Sequence, residues 1–485
     1  MPADQKEISE LFSKCFGLLP DSIARLPQSG SDRIYYRVTS DTTSVIATVN
    51  ENISENDTFI YFAKHFKESG YPVPEIFGVN KEKTLYLQSD FGNTSLLDVL
   101  ETKGKTEEVY GLFKQALTHL AGLQIKGDKS LDYERCITSK EFGKQAIISD
   151  LLYFKYYFLD TLKIPYDKEK LLEDFDTLSN SLAHHEHRFF MYRDFQSRNI
   201  MVHENNAYFI DFQGGMKGAL QYDVASFLWQ AKAELPEDWK TSLLEHYILE
   251  AGKLLDTPLE REGFIGKYHG YVLIRLLQVL GAYGFRGIFE RKAHFLVSIP
   301  LALQNLKTFL QQKPIEFALP EFERLLNLVV SDEIINRFTN IKSNKETPLV
   351  ITINSFSFKK TGYPKDETGN GGGFVFDCRG ILNPGRIEEY KTQTGKDKAV
   401  KDYLEQQTEM PAFMNNVYNL VDISVTDYIK RGFSSLEVSF GCTGGQHRSV
   451  YAADALARHL RNKFNAKLII HHLEQNWHEK KGIED

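Results

Sequence analysis

The chain has 485 residues, which is too long for one ordinary hydrophobic core, so we expect two or three domains. Hydrophobic residues make up 42% of it and charged residues 25%, the composition of a globular protein in water. The net charge of −7 disfavours a protein whose whole surface binds nucleic acid, although it leaves room for a local basic patch that binds RNA.

The cysteines and the apolar stretches indicate the cellular compartment. Four cysteines lack zinc-like or disulfide-like spacing, which favours a reducing compartment: Cys15, Cys136, Cys378 and Cys442. The N-terminus lacks the charged-then-apolar pattern of a signal peptide. The most apolar stretch, residues 271–283, is broken by Arg275 and Gln278 and falls short of the roughly 20 apolar residues that a bilayer span needs. We therefore expect a cytoplasmic protein that does not associate with membranes.

The first 88 residues predict a small lobe that mixes strands and helices. Apolar residues at helical spacing predict a helix over residues 5–17. Short apolar runs and a second periodic segment then predict strands 34–38, 45–49 and 84–88 and a helix over 57–69. We expect this N-lobe to end near residue 88, where a larger lobe begins.

Residues 89–340 predict a mostly helical lobe. Helical patterns cover residues 96–182 and run again from 223 to about 337. Between them, the apolar runs 189–192 and 207–210 predict two buried strands that flank a polar loop.

A polar segment that ends in Pro348 predicts a linker at residues 341–348, between a first domain of residues 1–340 and a second of residues 349–485. The second domain alternates strands with helices, which is typical of an α/β fold with a mainly parallel sheet. Its predicted elements are strands 349–353, 374–376, 436–440 and 467–471 and helices 397–404, 414–430 and 449–462. The expected fold class is α/β: a two-lobed α+β domain followed by a small α/β domain.

The two buried strands of the first domain carry polar residues at a spacing typical of phosphoryl transfer. Four residues separate Asp194 from Asn199, and Asp211 follows twelve residues after Asn199. A carboxylate such as Asp194 orients an attacking hydroxyl and accepts its proton. Asn199 and Asp211 offer the hard oxygen ligands that hold Mg²⁺ on a triphosphate. The alternative is that all three are ordinary loop residues, because Asp and Asn commonly cap turns.

The chain around these residues resembles the aminoglycoside phosphotransferase and choline kinase-like superfamily. The segments that carry the resemblance are Y-R-D-F-Q-S-R-N-I-M-V at 192–202, Y-F-I-D-F-Q-G-G at 208–215 and Y-D-V-A-S at 222–226. Within the superfamily, kinases that phosphorylate N-acetylmuramate and N-acetylglucosamine at the anomeric carbon are the most similar, on residues 56–74, 87–96 and 277–285. The resemblance covers residues 5 to about 330. It implies a two-lobed kinase fold with ATP between the lobes.

The resemblance also implies roles for individual residues. Asp194 would be the catalytic base, Asn199 and Asp211 the magnesium ligands, and Asp223 a support for the catalytic loop. Nucleotide contacts are expected from two segments: Ser29, Gly30 and Ser31 in a loop, and Gln88 and Ser89 at the end of the N-lobe.

Two departures from the family pattern concern the nucleotide. The loop Q-S-G-S-D-R at residues 28–33 has one glycine instead of the fuller glycine-rich pattern. The lysine expected on the next strand is missing, because residues 45–50 read V-I-A-T-V-N. A phosphate-binding cation must therefore come from elsewhere or be absent, and a weakly active or vestigial kinase stays open.

The acceptor pocket would lie beside Asp194, with Arg198 as a contact to the acceptor or, equally, as a brace for the hairpin. Asn56 and Asp57 are interpreted as helix caps rather than catalytic groups.

In the second domain, residues 436–450 read L-E-V-S-F-G-C-T-G-G-Q-H-R-S-V, a strand that runs into a small-residue loop and then a helix. Gly444 and Gly445 let the backbone turn its N–H groups inward, the helix adds its positive end, and Arg448 adds a planar fork for phosphate. The pattern predicts an anion site; the alternative is a turn packed for shape, with His447 as a cap. The loop also matches the cysteine phosphatase signature C-x5-R-S, from Cys442 to Ser449. No partner acid for that chemistry is identifiable in the sequence.

Residues 351 to about 474 resemble the C-terminal domain of the RNase adapter protein RapZ. The matching segments are S-F-S-F-K at 355–359, F-V-F-D-C-R-G-I-L-N-P at 374–384, T-G-K-D-K-A-V at 394–400 and G-C-T-G-G-Q-H-R-S-V-Y at 441–451. The resemblance implies a sensor of glucosamine 6-phosphate, with the phosphate held by Cys442, Thr443, Gly444, Gly445, His447, Arg448 and Ser449. Asp377, Arg379 and Asn383 would line the pocket, although Asp377 is also explained as the end of a strand.

Together the two halves predict an ATP- and Mg²⁺-dependent kinase of a sugar or amino sugar, with a C-terminal domain that binds a hexosamine phosphate. Two alternatives stay open: a sugar-phosphate sensor or adapter with a vestigial kinase lobe, and a kinase fused to a cysteine-dependent phosphatase.

Overall fold

The computed structural model describes the chain except for residues 1–2, 27–32, 42, 138, 184–187, 291–292, 313–317, 340, 367–368, 370–372 and 483–485. The predicted nucleotide contacts Ser29, Gly30 and Ser31 therefore lie outside the described residues. Two compact units are present: Met1–Ala282 with Leu301–Ser331, and Tyr283–Pro300 with Asp332–Asp485. Each unit mixes helices and strands, which confirms the predicted α/β class.

The first unit opens with a five-stranded antiparallel sheet and two helices. In chain order they are α1 Ala3–Phe16, β1 Ser22–Arg25, β2 Ile34–Ser40, β3 Thr43–Val49, α2 Ile53–Glu68, β4 Ile76–Val79 and β5 Leu85–Ser89. The strand order in the sheet is β1-β2-β3-β5-β4. The predicted strands are all present, and β1 and β4 are additional.

Side chains alternate across this sheet and give it two different faces. Val38 on β2 and Ala47 on β3 pack in a core with Ile8 and Phe12 of α1. Residues one position away, such as Thr48, therefore point to the opposite face. That second face carries polar groups, because Gln88 Nε2 of β5 donates to Thr48 Oγ1 at 3.1 Å.

Helix α2 begins earlier than the sequence predicted. Asn52 is its N-cap and accepts a hydrogen bond from the Glu55 backbone N–H at 3.2 Å. The interpretation of Asn56 and Asp57 as caps is therefore wrong, since both lie within the helix. Asn56 is buried and donates to the Asn50 carbonyl at 2.8 Å, while Asp57 pairs with Lys83 at 2.8 Å on the surface.

The next elements are mainly helical. They are α3 Leu96–Lys103, α4 Glu107–Ile125, α5 Lys144–Tyr157, α6 Lys168–Ala183, β6 Arg188–Met191, β7 Ile200–His203, β8 Asn206–Phe209, β9 Met216–Ala219, α7 Leu220–Leu228, α8 Glu237–Leu254, α9 Arg261–Tyr283, α10 Ala293–Leu296, α11 Ile299–Gln311, α12 Pro320–Val329 and α13 Asp332–Phe338. The two predicted strands each gain a partner, because β6 pairs with β9 and β7 pairs with β8. The polar loop between β6 and β7 is thus fixed at both ends.

The segment Arg261–Phe289 is long and apolar enough to cross a membrane by length and composition alone. However, 56% of its most apolar window is buried within the protein. Burial of this extent fits a helix of the protein core.

The second unit contains a sheet flanked by helices. Its further elements are β10 Val350–Ser357, β11 Phe374–Asp377, α14 Lys398–Gln407, α15 Met410–Arg431, β12 Ser435–Cys442, α16 Arg448–Phe464, β13 Lys467–His472 and β14 Trp477–Lys481. The strand order is β11-β12-β10-β13-β14, parallel except for β14. In register, Ser357 lies opposite Cys442 and Asp377 lies opposite Gly441, so three strands end at the same edge.

The predicted linker is attached to this second unit. The Ser343 N–H donates to the Phe464 carbonyl at 2.7 Å, and Lys467 Nζ donates to the Thr347 carbonyl at 2.7 Å. These bonds hold two residues within the segment, Ser343 and Thr347, against the end of α16 and the start of β13.

Candidate functional site

The structure brings together the three residues that the sequence singled out for phosphoryl transfer. Asn199 Nδ2 donates to the Asp194 carbonyl at 2.9 Å and lies 3.4 Å from Asp211 Oδ2. Asn199 is buried, whereas the carboxylates of Asp194 and Asp211 stay partly exposed. Asp211 has a φ of 71°, a left-handed conformation that turns the chain sharply after β8. The result is a polar cluster whose carboxylates remain open to a ligand.

Asp223, on the first turn of α7, fixes the backbone of the loop that carries Asp194. Its buried carboxylate accepts hydrogen bonds from the Tyr192 N–H at 2.7 Å, the Arg193 N–H at 2.9 Å and Gln124 Nε2 at 2.7 Å. Burial is the largest effect on this group and raises the pKa of Asp223 to about 7, against the three hydrogen bonds, which lower it. This geometry matches the supporting role that the family resemblance implies.

Arg193 precedes the expected base and braces it from within the core. It has a φ of 78° and donates to Asp150 Oδ1 at 2.8 Å and to the Tyr222 hydroxyl at 2.7 Å. These contacts hold the left-handed turn that exposes Asp194.

Arg275 of α9 is a functional candidate that sequence reasoning missed. Its buried guanidinium lies 3.4 Å from Asp194 Oδ1 and also donates to Ser226 Oγ at 2.9 Å and Gln278 Oε1 at 2.5 Å. The sequence showed Arg275 and Gln278 only as interruptions of an apolar stretch. Two polar residues one helical turn apart in a buried helix were the signal that could have identified it.

Arg33, Glu55 and Asp211 form a second charged group that was not predicted. Arg33 is buried at the start of β2; its Nη2 contacts Glu55 Oε1, and its Nη1 lies 3.2 Å from Asp211 Oδ1. Asn50 Nδ2 donates to the other oxygen of Glu55 at 3.0 Å. Burial opposes the charge of Arg33, but Tyr35, Glu55 and Asp211 raise its pKa above the ordinary value, so it stays cationic.

The remaining predicted contacts of the first unit lie near the end of β5 and on the catalytic loop. Gln88 is buried, and its Oε1 has no hydrogen-bond partner among the described residues. Ser89 Oγ accepts from the Glu75 N–H at 3.0 Å. Arg198 is exposed in the short turn Ser197–Asn199.

The oxygen atoms of this cluster suit a metal ion that is also coordinated by the phosphates of a ligand. Within the described part of the chain, no three His, Cys, Asp or Glu side chains group into a ready-made metal site. One carboxylate and one amide oxygen, from Asp211 and Asn199, are the protein ligands that Mg²⁺ uses when substrate phosphates complete its coordination. The residues present therefore fit a metal that arrives with a phosphate chain.

In the second unit, the loop after β12 surrounds the Cys442 thiol with hydrogen-bond donors. The Gly445 N–H donates to Cys442 Sγ at 3.2 Å, and Ser449 Oγ lies 3.2 Å from the same sulfur. Burial raises the pKa of the thiol, but the bonds from Ser449 and Gly445 and the charge of Arg448 outweigh it and lower the pKa of Cys442 below its ordinary value. Gly445 has a φ of 68°, as the inward turn of the loop requires.

Arg448 is largely committed to the protein. Its Nη1 donates to the carbonyls of Arg379 at 3.1 Å and Ile381 at 2.6 Å, and its Nη2 donates to Thr443 Oγ1 at 3.2 Å. Its buried Nε has no partner among the described residues. Arg448 therefore ties the loop to the segment after β11 and keeps one N–H for a ligand.

The other predicted contacts of this site lie around the loop. His447 Nε2 is 2.8 Å from the Tyr390 carbonyl. Asp377 ends β11, caps the following short turn and pairs with Arg379 at 2.6 Å on the surface. Asn383 Oδ1 caps another turn by accepting from the Gly385 N–H at 3.2 Å. A Cβ added at Gly444 would meet no atom within 4 Å.

Comparison with known proteins assigns both halves of the chain. Residues 22–261 match the phosphotransferase enzyme family, and residues 349–476 match the RapZ C-terminal domain. The chain joins a phosphotransferase-family domain to a RapZ C-terminal domain. Both resemblances expected from the sequence are thus confirmed.

Curated relatives share part of this phosphotransferase–RapZ chain. A nucleotide-binding protein of Fervidobacterium nodosum is 33% identical over 193 residues, which are 38% of this chain and 66% of the relative. A nucleotide-binding protein of Clostridium botulinum is 44% identical over 133 residues, which are 27% of this chain and 42% of the relative. The chain thus spans between about two fifths and two thirds of these relatives.

Among solved structures, the choline kinase LicA of Streptococcus pneumoniae is similar to the chain with 15% identity and a TM-score of 0.43. The similarity covers 63% of this chain and 99% of that kinase.

Proposed function

We propose that the N-terminal domain is an ATP- and Mg²⁺-dependent kinase that transfers the γ-phosphoryl group to a hydroxyl of a sugar or amino sugar. The observation that carries the proposal is the meeting of Asp194, Asn199 and Asp211 in one partly open cluster. The membership in the phosphotransferase family supports the same chemistry. The choice of a sugar acceptor rests on the sequence resemblance to anomeric sugar kinases.

Each residue of the cluster has a task in this reaction. Asp194 accepts the proton of the acceptor hydroxyl, and Arg275 holds its carboxylate in place from the core side. Asn199 and Asp211 would hold Mg²⁺, which, when bound, neutralises charge on the phosphate chain. Asp223 keeps the loop rigid, so the groups need little reorganisation during transfer.

The adenine of the nucleotide is proposed to lie at the end of β5. The exocyclic amine of adenine is a donor that would satisfy the unpartnered Oε1 of Gln88. Ser89 follows directly and is the adjacent contact. Arg198, which is exposed four residues after Asp194 in the same loop, is the proposed contact to the acceptor.

The C-terminal domain is proposed to bind a hexosamine phosphate in the loop from Cys442 to Ser449. The inward turn at Gly445, the N-terminus of α16 and the free Nε of Arg448 support an anion there. Asp377, Arg379 and Asn383 lie on the segment that Arg448 ties to the loop, where they would contact the sugar.

A direct experiment tests the kinase proposal. The full chain is incubated with Mg²⁺-ATP and a panel of amino sugars, N-acetyl sugars, choline and aminoglycosides, and products are read by mass spectrometry. We expect a phosphorylated amino sugar or N-acetyl sugar. Transfer to choline or an aminoglycoside alone would overturn the acceptor class. Absence of both transfer and Mg²⁺-ATP binding by calorimetry, together with glucosamine 6-phosphate binding, would favour a sensor with a vestigial kinase lobe.

A second candidate activity for the C-terminal loop is cysteine-dependent phosphatase chemistry. The lowered pKa of Cys442 and its contact with Ser449 favour it. The commitment of Arg448 to backbone carbonyls disfavours it, because only Nε is left for a phosphoryl group, and one N–H does not give the two-bond grip that favours transfer. Hydrolysis of p-nitrophenyl phosphate that is lost in Cys442→Ser would establish this activity, and no hydrolysis by the wild type would remove it.

A further inference from the structure

The N-lobe lacks the lysine that protein-kinase-like folds place on the strand before their first large helix. In protein kinases that lysine binds the α- and β-phosphates and is held by a glutamate of the helix. Here β3 and the residue after it read T-S-V-I-A-T-V-N, without any cation. A polyanionic triphosphate therefore needs a positive charge from a different element.

Arg33 provides a positive charge next to the glutamate of the first large helix, where the lysine of protein kinases would lie. Its side chain is only 5% exposed, and its guanidinium contacts Glu55 in the first turn of α2. The other terminal nitrogen lies 3.2 Å from Asp211, a proposed magnesium ligand, and 3.3 Å from the Tyr35 hydroxyl. The arginine thus connects the glutamate of the helix to the proposed metal-binding carboxylate, although it directly precedes β2 and does not lie on β3.

Asn50, the residue directly after β3, takes part in this arrangement. Asn50 Nδ2 donates to Glu55 Oε2 at 3.0 Å and to Asn56 Oδ1 at 3.1 Å. Glu55 is therefore held by Arg33 through one oxygen and by Asn50 through the other. This bracing fixes one edge of the guanidinium and directs its other edge toward Asp211.

We propose that Arg33 is the phosphate-binding cation of this kinase: its guanidinium, anchored on Glu55, binds the phosphate chain beside Asp211. The inference rests on the proposed function, because it needs a nucleotide in the cleft. The two terminal nitrogens of a guanidinium are separate donors, so Nη2 can stay on Glu55 while Nη1, which contacts Asp211 and Tyr35 in this structure, turns to a phosphate. A single ammonium group cannot do both in the same geometry. Arg33→Lys is therefore expected to be a poor substitute.

The test separates phosphate recognition from folding. Arg33→Met, Arg33→Lys and Glu55→Gln are compared with the wild type for affinity to Mg²⁺-AMP-PNP and to adenosine, which has no phosphate. We expect Arg33→Met to weaken AMP-PNP binding at least about 10-fold, with adenosine affinity unchanged. The kcat/KM for ATP should fall about 10²-fold to 10³-fold, with smaller losses in the other two variants.

Lys83→Met is the matched control. Lys83 pairs at 2.8 Å with Asp57, which lies on α2 like Glu55, but this ion pair is on the surface. It should bind both ligands like the wild type.

Specific outcomes overturn the inference. If Arg33→Met binds AMP-PNP as the wild type does, or if its affinity for adenosine falls as much as its affinity for AMP-PNP, the role of Arg33 is purely structural. If Arg33→Met does not fold, Arg33→Lys and Glu55→Gln decide: unchanged AMP-PNP affinity in both overturns the inference, and a selective loss supports it. A wild type that neither binds AMP-PNP nor transfers phosphate overturns the proposed function as well, whereas an active wild type with insensitive variants overturns only the role of Arg33.

Discussion

The two predicted anion sites of this protein place their reactive groups in opposite ways. In the phosphotransferase domain, the side chains of Asp194 and Asp211 are 43% and 38% exposed, while Arg275 and Arg33, which contact them, are each 5% exposed. In the RapZ domain, Cys442 and Arg448 are themselves buried and bonded to the protein. The first site keeps its carboxylates accessible on a buried support, as the proposed phosphate transfer requires. The second uses its charged and nucleophilic groups to shape a loop, which fits the proposed binding role.

We expect the largest effect from removing Arg275, the buried arginine that contacts the partly exposed carboxylate of Asp194. Arg275→Met leaves Asp194 without its ion pair, so we expect kcat to fall about 10²-fold while affinity for Mg²⁺-AMP-PNP stays unchanged. Steady-state kinetics and calorimetry check this. Arg324→Met, which removes a surface arginine paired with Glu321 at 2.8 Å, is the control and should leave kcat unchanged. Equal kcat values in the wild type and Arg275→Met would show that Asp194 needs no such support.

A substitution in the RapZ domain tests whether its loop works through backbone shape. Alanine at Gly445 is strained at a φ of 68°, and its Cβ would lie 2.3 Å from Glu474 Cγ. We expect Gly445→Ala to lower the free energy of unfolding by about 1–3 kcal/mol and to abolish glucosamine 6-phosphate binding. Gly444→Ala is the matched control, since no atom lies within 4 Å of its new Cβ. Thermal melting and calorimetry distinguish them, and equal behaviour of the two variants would contradict a shaped loop.

The buried support of the catalytic loop should also show in the pH dependence of stability. The pKa of Asp223 is raised from 3.8 to about 7, so the folded state holds a proton that the unfolded chain releases across this range. The stabilisation is present below pH 3.8 and is lost as the pH rises through 7. Relative to Asp223→Asn, the wild-type free energy of unfolding should fall by at most about 1.4 kcal/mol per pH unit. Denaturant unfolding at several pH values measures it, and parallel curves would refute the raised pKa.

The smallest expected effect concerns the thiol of the RapZ loop. Ser449→Ala removes a hydrogen bond to Cys442 Sγ, so the pKa of Cys442 should rise. The pH dependence of labelling by a small thiol reagent reports this change. Cys442→Ser gives the background from the other cysteines. An unchanged labelling profile would mean that the hydroxyl does not stabilise the thiolate.

Local patterns were sufficient for the catalytic loop and insufficient for what surrounds it. Asp194 and Asn199 lie in the loop between β6 and β7, and Asp211 follows the β7–β8 hairpin, so their short spacing along the chain alone predicted that they meet. Arg33 and Asp211 are separated by 178 residues, and Arg275 and Asp194 by 81, so only the tertiary fold brings them together.

Some strands were missed for the same physical reason. β14, with the sequence W-H-E-K-K, is mostly polar and is a strand because it pairs with the edge of β13. β9, M-K-G-A, depends similarly on its pairing with β6. The helix cap was misplaced because Asn52, Asn56 and Asp57 are all good capping residues, and only the structure shows which one begins α2.

The most direct measurement of the central claim compares nucleotide binding with phosphate transfer in Asp194→Asn. Asparagine keeps the shape of the side chain but cannot accept the acceptor's proton. We predict that this variant binds Mg²⁺-AMP-PNP as the wild type does and melts at the same temperature, while transfer to the best acceptor falls at least about 10³-fold. Transfer that continues at the wild-type rate would contradict the assignment of Asp194 as the catalytic base of this kinase.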